Sequence, residues 1–271
     1  GDYAFQGDSR LASPLSLSDV TEIGAYAFSG CSQLPFESLD LSGLTSLGER
    51  AFQNCSRLTG VTLPTTANFN AIPAYAFSGT GLTSIDLPEN IQEVGNYAFS
   101  GCSQLSSITL RGTEAIGDYA FYNTPVGSIS LPDGLKTIGA SAFERSLSAA
   151  DTPLTSLTIP ESVTSIGNRA FFNHKNLETV TIEGTALAAD DAIGDAAFGD
   201  SIANAHSEYI DDPDNAGAQI LIGTIFQADD KVLAVLENGA GKICYLGETS
   251  PLRLDSEESY PATCKHTGQN V

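Results

Sequence analysis

The chain contains no tryptophan and no methionine, and only 12 of its 271 residues are lysine or arginine. Its 33 acidic residues outnumber these bases and give a formal net charge of −21. An acidic surface repels phosphate backbones and anionic lipid headgroups, so we expect neither nucleic acid nor a membrane surface as a partner. The same charge favours solubility and attracts basic partners or cations.

Long apolar runs and catalytic motifs are missing as well. No run of about 18 apolar residues, the length that a membrane-spanning helix needs, occurs in the chain. The three histidines, His174, His206 and His266, are scattered, and the segment 239–243 lacks both the first glycine and the Ser or Thr of a phosphate-binding loop. We therefore predict a non-enzymatic protein with no catalytic residues, no metal site and no cofactor.

The chain is rich in a repeated Ala-Phe pair. Successive phenylalanines of the row are separated by 22 to 28 residues, a period typical of solenoids and other repeat arrays. The first pair lies at the start of the chain, so we expect a fragment or processed form whose first repeat is truncated. The row comprises Phe5, Phe28, Phe52, Phe77, Phe99, Phe121, Phe143, Phe171 and Phe198.

Each repeat also contains a short apolar–polar–apolar triplet such as Ile85-Asp86-Leu87 or Ile108-Thr109-Leu110. This alternation predicts a short strand with one buried face. Proline often follows the triplet, and because proline has no N–H it ends the strand. Stacked coils would bury a continuous core that no single coil can form.

A glycine precedes each Ala-Phe pair by three residues in most repeats. A recurring glycine indicates either a positive φ or a close approach of two chain segments. One repeat has Pro73 in this slot, and proline holds φ near −65°. We therefore favour crowding or a tight turn as the reason for the glycines.

The combined phrase, as read across residues 82–105, resembles the BspA-type leucine-rich repeat. The resemblance covers about residues 1–200 and implies a curved, right-handed α/β-type or mostly-β superhelix with a parallel sheet of short strands. It also implies surface exposure or secretion, and for some members binding to host matrix proteins or to other bacteria. It implies no catalytic residues.

The domain prediction is a solenoid of about nine repeats over residues 1–205 and a β-rich C-terminal cap over 206–271. Within the second part, residues 220–226 and 231–236 read as a hairpin and residues 242–246 as a third strand. A small independent domain is the alternative for this part. The acidic loop 211–215 lacks the spacing of a calcium-binding loop and reads as a solvated loop.

The five cysteines fall into two groups. Cys31, Cys55 and Cys102 share one slot, three residues after phenylalanine, and are predicted to be structural thiols; nothing in the pattern requires a bridge between the first two. Cys244 and Cys264 lie outside the repeats, and a disulfide between them is predicted if the protein is extracellular.

Two surfaces are candidates for binding. The first, called the strand face here, is small and polar, and its sequence shows neither an aromatic anchor nor an arginine; it consists of Asp40, Thr62, Asp86, Thr109, Ser130, Thr158 and Thr181. The second, called the tyrosine edge, lies two residues before phenylalanine; it consists of Tyr26, Tyr75, Tyr97 and Tyr119, with Tyr3 before them and Arg50 and Arg169 in the same slot.

Two functional hypotheses follow from these observations. One is a cell-surface or secreted repeat protein that adheres to host extracellular matrix or other surface proteins. The other is a structural spacer that presents another domain and has no ligand of its own. The plain strand face favours the spacer, whereas the family resemblance favours adhesion.

Overall fold

The structure is a computed structural model that describes residues 1–11, 17, 19–34, 37–146, 153–174, 176–177, 179–182, 187, 192–194 and 197–198, and the backbone of six further strands between 208 and 270. Within these residues the chain forms a mostly-β solenoid of short parallel strands without an α-helix. The predicted repeat solenoid is therefore confirmed.

Strands are numbered in chain order, and the apolar–polar–apolar triplets supply the first series of them. Parallel pairing joins the first two, the middle three and the last two. The register sets Ile85 opposite Ile108 and Asp86 opposite Thr109, so that apolar residues meet on one face and polar residues on the other. The series is β2 (Ser38–Asp40), β4 (Gly60–Thr62), β6 (Ser84–Leu87), β8 (Ser107–Leu110), β10 (Ser128–Ser130), β12 (Ser156–Ile159) and β14 (Thr179–Ile182).

A second series of strands precedes the glycine slot. The first two strands pair with each other, and the other five form one parallel sheet. Each strand buries its aliphatic second residue. The series is β1 (Glu22–Ile23), β3 (Ser46–Leu47), β5 (Ala71–Ile72), β7 (Glu93–Val94), β9 (Ala115–Ile116), β11 (Thr137–Ile138) and β13 (Ser165–Ile166).

The nine phenylalanines form one continuous stack through the core, called the phenylalanine ladder here. Ring centroids of neighbours lie 5.1–5.7 Å apart and the rings are nearly parallel. From Phe52 to Phe121 the rings are 0% exposed, and so are the alanines before them. Only Phe5, in the first coil, is exposed, at 37%.

Crowding explains the glycine slot, as the sequence suggested. A Cβ on Gly48 would lie 2.2 Å from the backbone nitrogen of Ala25, and one on Gly139 would lie 2.5 Å from the carbonyl carbon of Gly117. Neither glycine has a positive φ. At these glycines consecutive coils therefore approach too closely for a Cβ, and a methyl group there would push them apart.

Six further strands follow: β15 (Glu208–Asp211), β16 (Gln219–Ala228), β17 (Lys231–Leu236), β18 (Lys242–Glu248), β19 (Lys265–His266) and β20 (Gln269–Asn270). The first four join the sheet of β12 and β14, and the last two pair with each other. Antiparallel pairing joins β16 to β15 and to β17, and β17 to β18, while β16 meets β14 in parallel at Thr181 and Gln227. The predicted hairpin and third strand are thus confirmed as strands. The proposed 205/206 boundary and the side chains that would cap the core lie outside the described residues, so the cap stays a prediction.

Candidate functional site

The tyrosine edge lies on a bend in which the tyrosine itself adopts a left-handed conformation. The φ angles of Tyr26, Tyr75, Tyr97 and Tyr119 lie between 56° and 58°, a region that bulky L-residues seldom occupy. The backbone N–H of Tyr97 donates to the carbonyl of Asp118 in the next coil at 2.9 Å. The bend thereby hydrogen-bonds the backbone of one coil to that of the next.

Sequence reasoning considered a positive φ only for the glycine slot and missed it here. A second left-handed position follows two residues after phenylalanine in most coils. In these seven coils the position is filled by glycine or asparagine, the two residues that tolerate the conformation best, so its composition could have revealed the bend. It comprises Gly7, Gly30, Asn54, Gly79, Gly101, Asn123 and Asn173.

The tyrosine rings stack on one another along the edge. Centroids lie 4.5 Å apart for Tyr75 and Tyr97 and 4.6 Å apart for Tyr97 and Tyr119, with planes 3° from parallel in both pairs. Tyr122 meets Tyr119 edge-on, with centroids 5.6 Å apart. These four side chains are half-buried, so their ring faces are covered by one another while their outer rims remain accessible.

Arg50 interrupts the row of rings. Its guanidinium carbon lies 5.3 Å from the centroid of Tyr26 and 4.1 Å from that of Tyr75, distances typical of cation–π contacts. It also donates a hydrogen bond to the hydroxyl group of Tyr26 and pairs with Glu49. The guanidinium therefore replaces a ring in the stack and separates the Tyr3–Tyr26 pair from the tyrosines that follow.

At the other end, Ser141 occupies the slot with a φ of 53° and carries no ring. Arg169 follows in the next coil, with its guanidinium carbon 3.6 Å from the centroid of Phe172 and a bidentate ion pair to Glu144. Burial, which raises the pKa of Glu144, is outweighed by hydrogen bonds from Arg169 and Ser141, so the pKa lies below its usual value.

The strand face is exposed, as its sequence suggested, at Asp40, Thr62, Asp86, Ser130 and Thr158, whereas Thr109 is half-buried. Thr181 lies in β14, and its side chain is outside the described residues. The described members of the face are short polar side chains on neighbouring strands. The backbone N–H of Ser42 accounts for the lowered pKa of Asp40, to which it donates a hydrogen bond of 2.9 Å.

The expectation that this face has no arginine is wrong. Arg111 follows β8 directly, and its Nε and Nη2 atoms bind the two carboxylate oxygens of Asp86 at 2.9 and 2.8 Å. This bidentate pair lowers the pKa of Asp86. Sequence reasoning missed it because Arg111 lies one residue beyond the strand, and only the long side chain brings the charge back over the face.

A shallow groove of about 610 Å³ lies beside this ion pair. Its walls combine the end of β4 with the loop that contains Glu89 and Asn90, and Asp86 and Arg111 close one side. Both charged side chains are more than half exposed, and the apolar side chains of Val61, Leu63 and Pro88 share the lining with them but include no aromatic ring.

The three cysteines of the repeat slot are buried free thiols, as predicted. The thiol of Cys55 donates a hydrogen bond to the carbonyl of Phe28, and that of Cys102 to the carbonyl of Phe77, both at 3.1 Å and both in the preceding coil. Burial raises the pKa of Cys55 and of Cys102. The thiols therefore stay protonated and hydrogen-bond one coil to the preceding one. Cys31 and Cys55 do not form a disulfide.

His174 occupies the same slot and makes the same contact. Its Nε2 atom lies 2.7 Å from the carbonyl of Phe143, and its side chain is buried. Burial lowers the pKa of His174 to about 4, and the nearby charge of Arg145 adds to the effect. The imidazole is therefore neutral at pH 7 and serves as a hydrogen-bond donor to the core.

The described part of the chain contains no cluster of three or more residues suited to a metal ion, and no helix with the length and apolar character of a membrane span. The predicted Cys244–Cys264 disulfide and the acidic loop 212–215 lie outside the described side chains. The disulfide therefore stays a prediction.

Comparison with known proteins points to one family. A model described as the BspA type leucine rich repeat region, in six copies, matches residues 1–68, 21–150 and 148–208. No curated protein matches the chain.

Several solved structures resemble the chain. A leucine rich cell surface protein from Faecalibacterium prausnitzii is 25% identical, over 75% of this chain and 67% of that one, with a TM-score of 0.40. A leucine rich repeat protein of T. pallidum is 23% identical, over 68% and 72%, with a TM-score of 0.43. A leucine-rich repeat protein from Bacteroides ovatus is 22% identical, over 67% and 57%, with a TM-score of 0.36. These superpositions are partial, and the family assignment therefore rests on the match to the repeat model.

Proposed function

The chain belongs to the BspA-type leucine-rich repeat family, and from that premise we propose that it is a non-enzymatic cell-surface or secreted protein that binds other proteins. Repeat solenoids present extended surfaces to their partners, and their function depends on what those surfaces display. The finer part of the proposal is the partner class, namely host extracellular matrix proteins or other surface proteins.

The observation that carries the proposal is the tyrosine edge with Arg50 inside it. Tyrosine and arginine are enriched among the residues that contribute most to binding energy. Here the rings are held by stacking and by a left-handed backbone before any partner arrives. Preordered side chains lose little entropy on binding, which favours affinity.

The strand face is the weaker candidate of the two surfaces. Its described side chains are mainly serine, threonine and aspartate, and the one arginine over it is engaged with Asp86. Such a surface can hydrogen-bond to a partner but lacks residues that anchor an interface. Its acidic members would favour a basic segment of the partner.

We would test the proposal with the triple variant Tyr75→Ser, Tyr97→Ser and Tyr119→Ser. Serine is the matched replacement because Ser141 occupies the same slot with a similar backbone conformation. Binding to immobilised fibronectin, laminin and collagen is measured by surface plasmon resonance, with circular dichroism as the check on folding. We expect at least one matrix protein to bind and its affinity to fall by roughly tenfold or more, since each interface anchor contributes about 1 kcal/mol or more.

A second triple variant, Thr62→Lys, Ser130→Lys and Thr158→Lys, blocks the strand face instead. All three side chains are exposed, so the core is untouched. We expect this variant to bind like the wild type. Loss of binding in this variant alone would move the site to the strand face, and a chain that binds none of the matrix proteins would favour the structural spacer.

A further inference from the structure

The stacked tyrosines lie where one-electron oxidation of the protein would concentrate. The chain contains no tryptophan and no methionine, two side chains that oxidise readily. Cys31, Cys55 and Cys102 are buried and hydrogen-bonded to backbone carbonyls, and buried thiols are poorly reactive. Among the described side chains, the phenols of the tyrosine edge and of the neighbouring Tyr122 are thus the accessible electron donors.

The geometry of the stack suits coupling between neighbouring rings. Tyr97 lies between Tyr75 and Tyr119 with centroids 4.5 and 4.6 Å away and planes 3° from parallel. The ring carbons beside each hydroxyl group therefore face the adjacent ring, one coil away. Tyr3 and Tyr26 form a separate pair, with centroids 4.9 Å apart.

We propose that the tyrosine edge is an oxidative cross-linking site, at which a one-electron oxidant such as a haem peroxidase with hydrogen peroxide converts stacked tyrosines of consecutive coils into dityrosine. Each of two phenols gives up one electron to the oxidant and one proton to water. The two tyrosyl radicals join through a bond between ring carbons adjacent to the hydroxyl groups. Each of those carbons then loses its hydrogen as the ring regains aromaticity, and the phenolic oxygens are reprotonated.

The oxidant accepts the electrons and protons that the protein loses. The protein loses two electrons and two protons in total, and one hydrogen peroxide takes them up to become two molecules of water. The product is a covalent cross-link between coils that are otherwise joined by hydrogen bonds and packing. This chemistry does not depend on whether the same edge binds a partner.

The arrangement also predicts which pairs cannot couple. Arg50 lies between Tyr26 and Tyr75, so these two rings are not in contact. Tyr122 meets Tyr119 edge-on at 5.6 Å and is not part of the parallel stack. Dityrosine links should therefore form between tyrosines that stack on each other and not between tyrosines that are merely near in the chain.

Tryptic peptides distinguish a link between the stacked rings Tyr97 and Tyr119 from a link between Tyr26 and Tyr75, which are not in contact. Because trypsin cleaves after lysine and arginine, Tyr97 falls in peptide 58–111 and Tyr119 in peptide 112–136, while Tyr26 falls in peptide 11–50. The protein is treated with horseradish peroxidase and hydrogen peroxide at low concentration, and the monomer is isolated and digested. We expect mass spectrometry to find peptides 58–111 and 112–136 joined with the loss of two hydrogens, and no joining of 11–50 to 58–111.

Three variants sharpen the test. Tyr97→Phe should eliminate the link between 58–111 and 112–136, whereas the control Tyr122→Phe should retain it. Arg50→Tyr should unite the two stacks and create a new link between peptides 11–57 and 58–111, because the variant also removes one cleavage site. The proposal is overturned if dityrosine is absent, if the link survives Tyr97→Phe, or if protein unfolded in urea gives the same set of links.

Discussion

The phenylalanine ladder and the tyrosine edge are two stacks built by the same repeat. They lie two residues apart in sequence, and each places one side chain per coil on the next. Phe99 is fully buried between Phe77 and Phe121, whereas Tyr97 stacks as closely but remains half-exposed with a left-handed backbone. Similar contacts thus serve two purposes, and burial decides which stack contributes most to folding.

The sequence itself shows the same contrast inside one molecule. All nine positions of the inner row are phenylalanine. By sequence, the outer slot holds tyrosine, arginine or, at Ser141 and Ala196, a side chain too small to stack. An inner position without its ring would leave a cavity in the core, whereas an outer position without its ring leaves water in its place.

The largest predicted effect comes from breaking the inner stack. Phe99→Ala should lower the free energy of unfolding by about 3–5 kcal/mol, as for other buried aromatic residues, because it removes apolar burial and leaves a cavity. Urea unfolding followed by circular dichroism measures the change. A loss below about 1 kcal/mol would mean that the ladder does not support the fold.

A buried neighbour of the inner stack should make the stability of the protein depend on pH. His174 has a pKa lowered to about 4 in the folded protein, below its usual value near 6.5. The contribution of His174 to the free energy of unfolding is therefore present above about pH 6.5. It is lost as pH decreases, because the unfolded chain takes up the proton at a higher pH than the folded chain does. Between pH 7.5 and pH 5 we expect a loss of about 2 kcal/mol from this group.

His174→Cys is the matched control for this effect, since cysteine fills the slot in three other coils. The difference between the wild type and this variant in urea unfolding at the two pH values isolates the histidine from the carboxylates. Equal pH dependence in both proteins would show that His174 is not buried in the neutral form.

The spacing of the coils, which both stacks share, is set in part by the glycine slot. Gly139→Ala should destabilise the protein by about 1–3 kcal/mol, because the added methyl group meets backbone atoms that cannot move away independently. Gly134→Ala is the control, since a Cβ there has no neighbour within 4 Å. If the two variants have the same melting temperature, the close approach at Gly139 is not a constraint.

The smallest predicted effect concerns the strand face. Asp86→Asn removes the charge that Arg111 contacts, but both partners are more than half exposed. Exposed ion pairs contribute about 0–1 kcal/mol, so the free energy of unfolding should change by less than about 1 kcal/mol. A larger loss would mean that this face supports the fold and is not simply available to a partner.

Elements could be predicted from the sequence where the residue types at a position are compatible with only one local structure. The alternation at Ile85-Asp86-Leu87 predicted β6. Pro73 in the glycine slot argued against a positive φ there, and the backbone atoms close to Gly139 confirm crowding instead. The tail strands followed from their apolar runs. In each case local chemistry limits the structure to one outcome.

The missed features depend on geometry that residue type does not reveal. Tyrosine is an unusual residue for a positive φ, so the bend at Tyr97 could not be inferred from the tyrosine itself. The Gly or Asn two residues after seven of the nine phenylalanines was nevertheless a usable signal. The return of Arg111 over Asp86 depends on the path of a long side chain. The intercalation of Arg50 required the coil-to-coil register.

The most direct test compares two single substitutions in one coil, Phe99→Ala and Tyr97→Ser, by their free energies of unfolding in urea. Tyr97→Ser removes a stacked but half-exposed ring, a contact worth about 0.5–1.5 kcal/mol, and retains a residue that the slot tolerates at Ser141. The predicted result is a loss of about 1 kcal/mol for Tyr97→Ser against about 3–5 kcal/mol for Phe99→Ala. Equal losses would contradict the division between an inner stack that holds the fold and an outer stack that is free to bind.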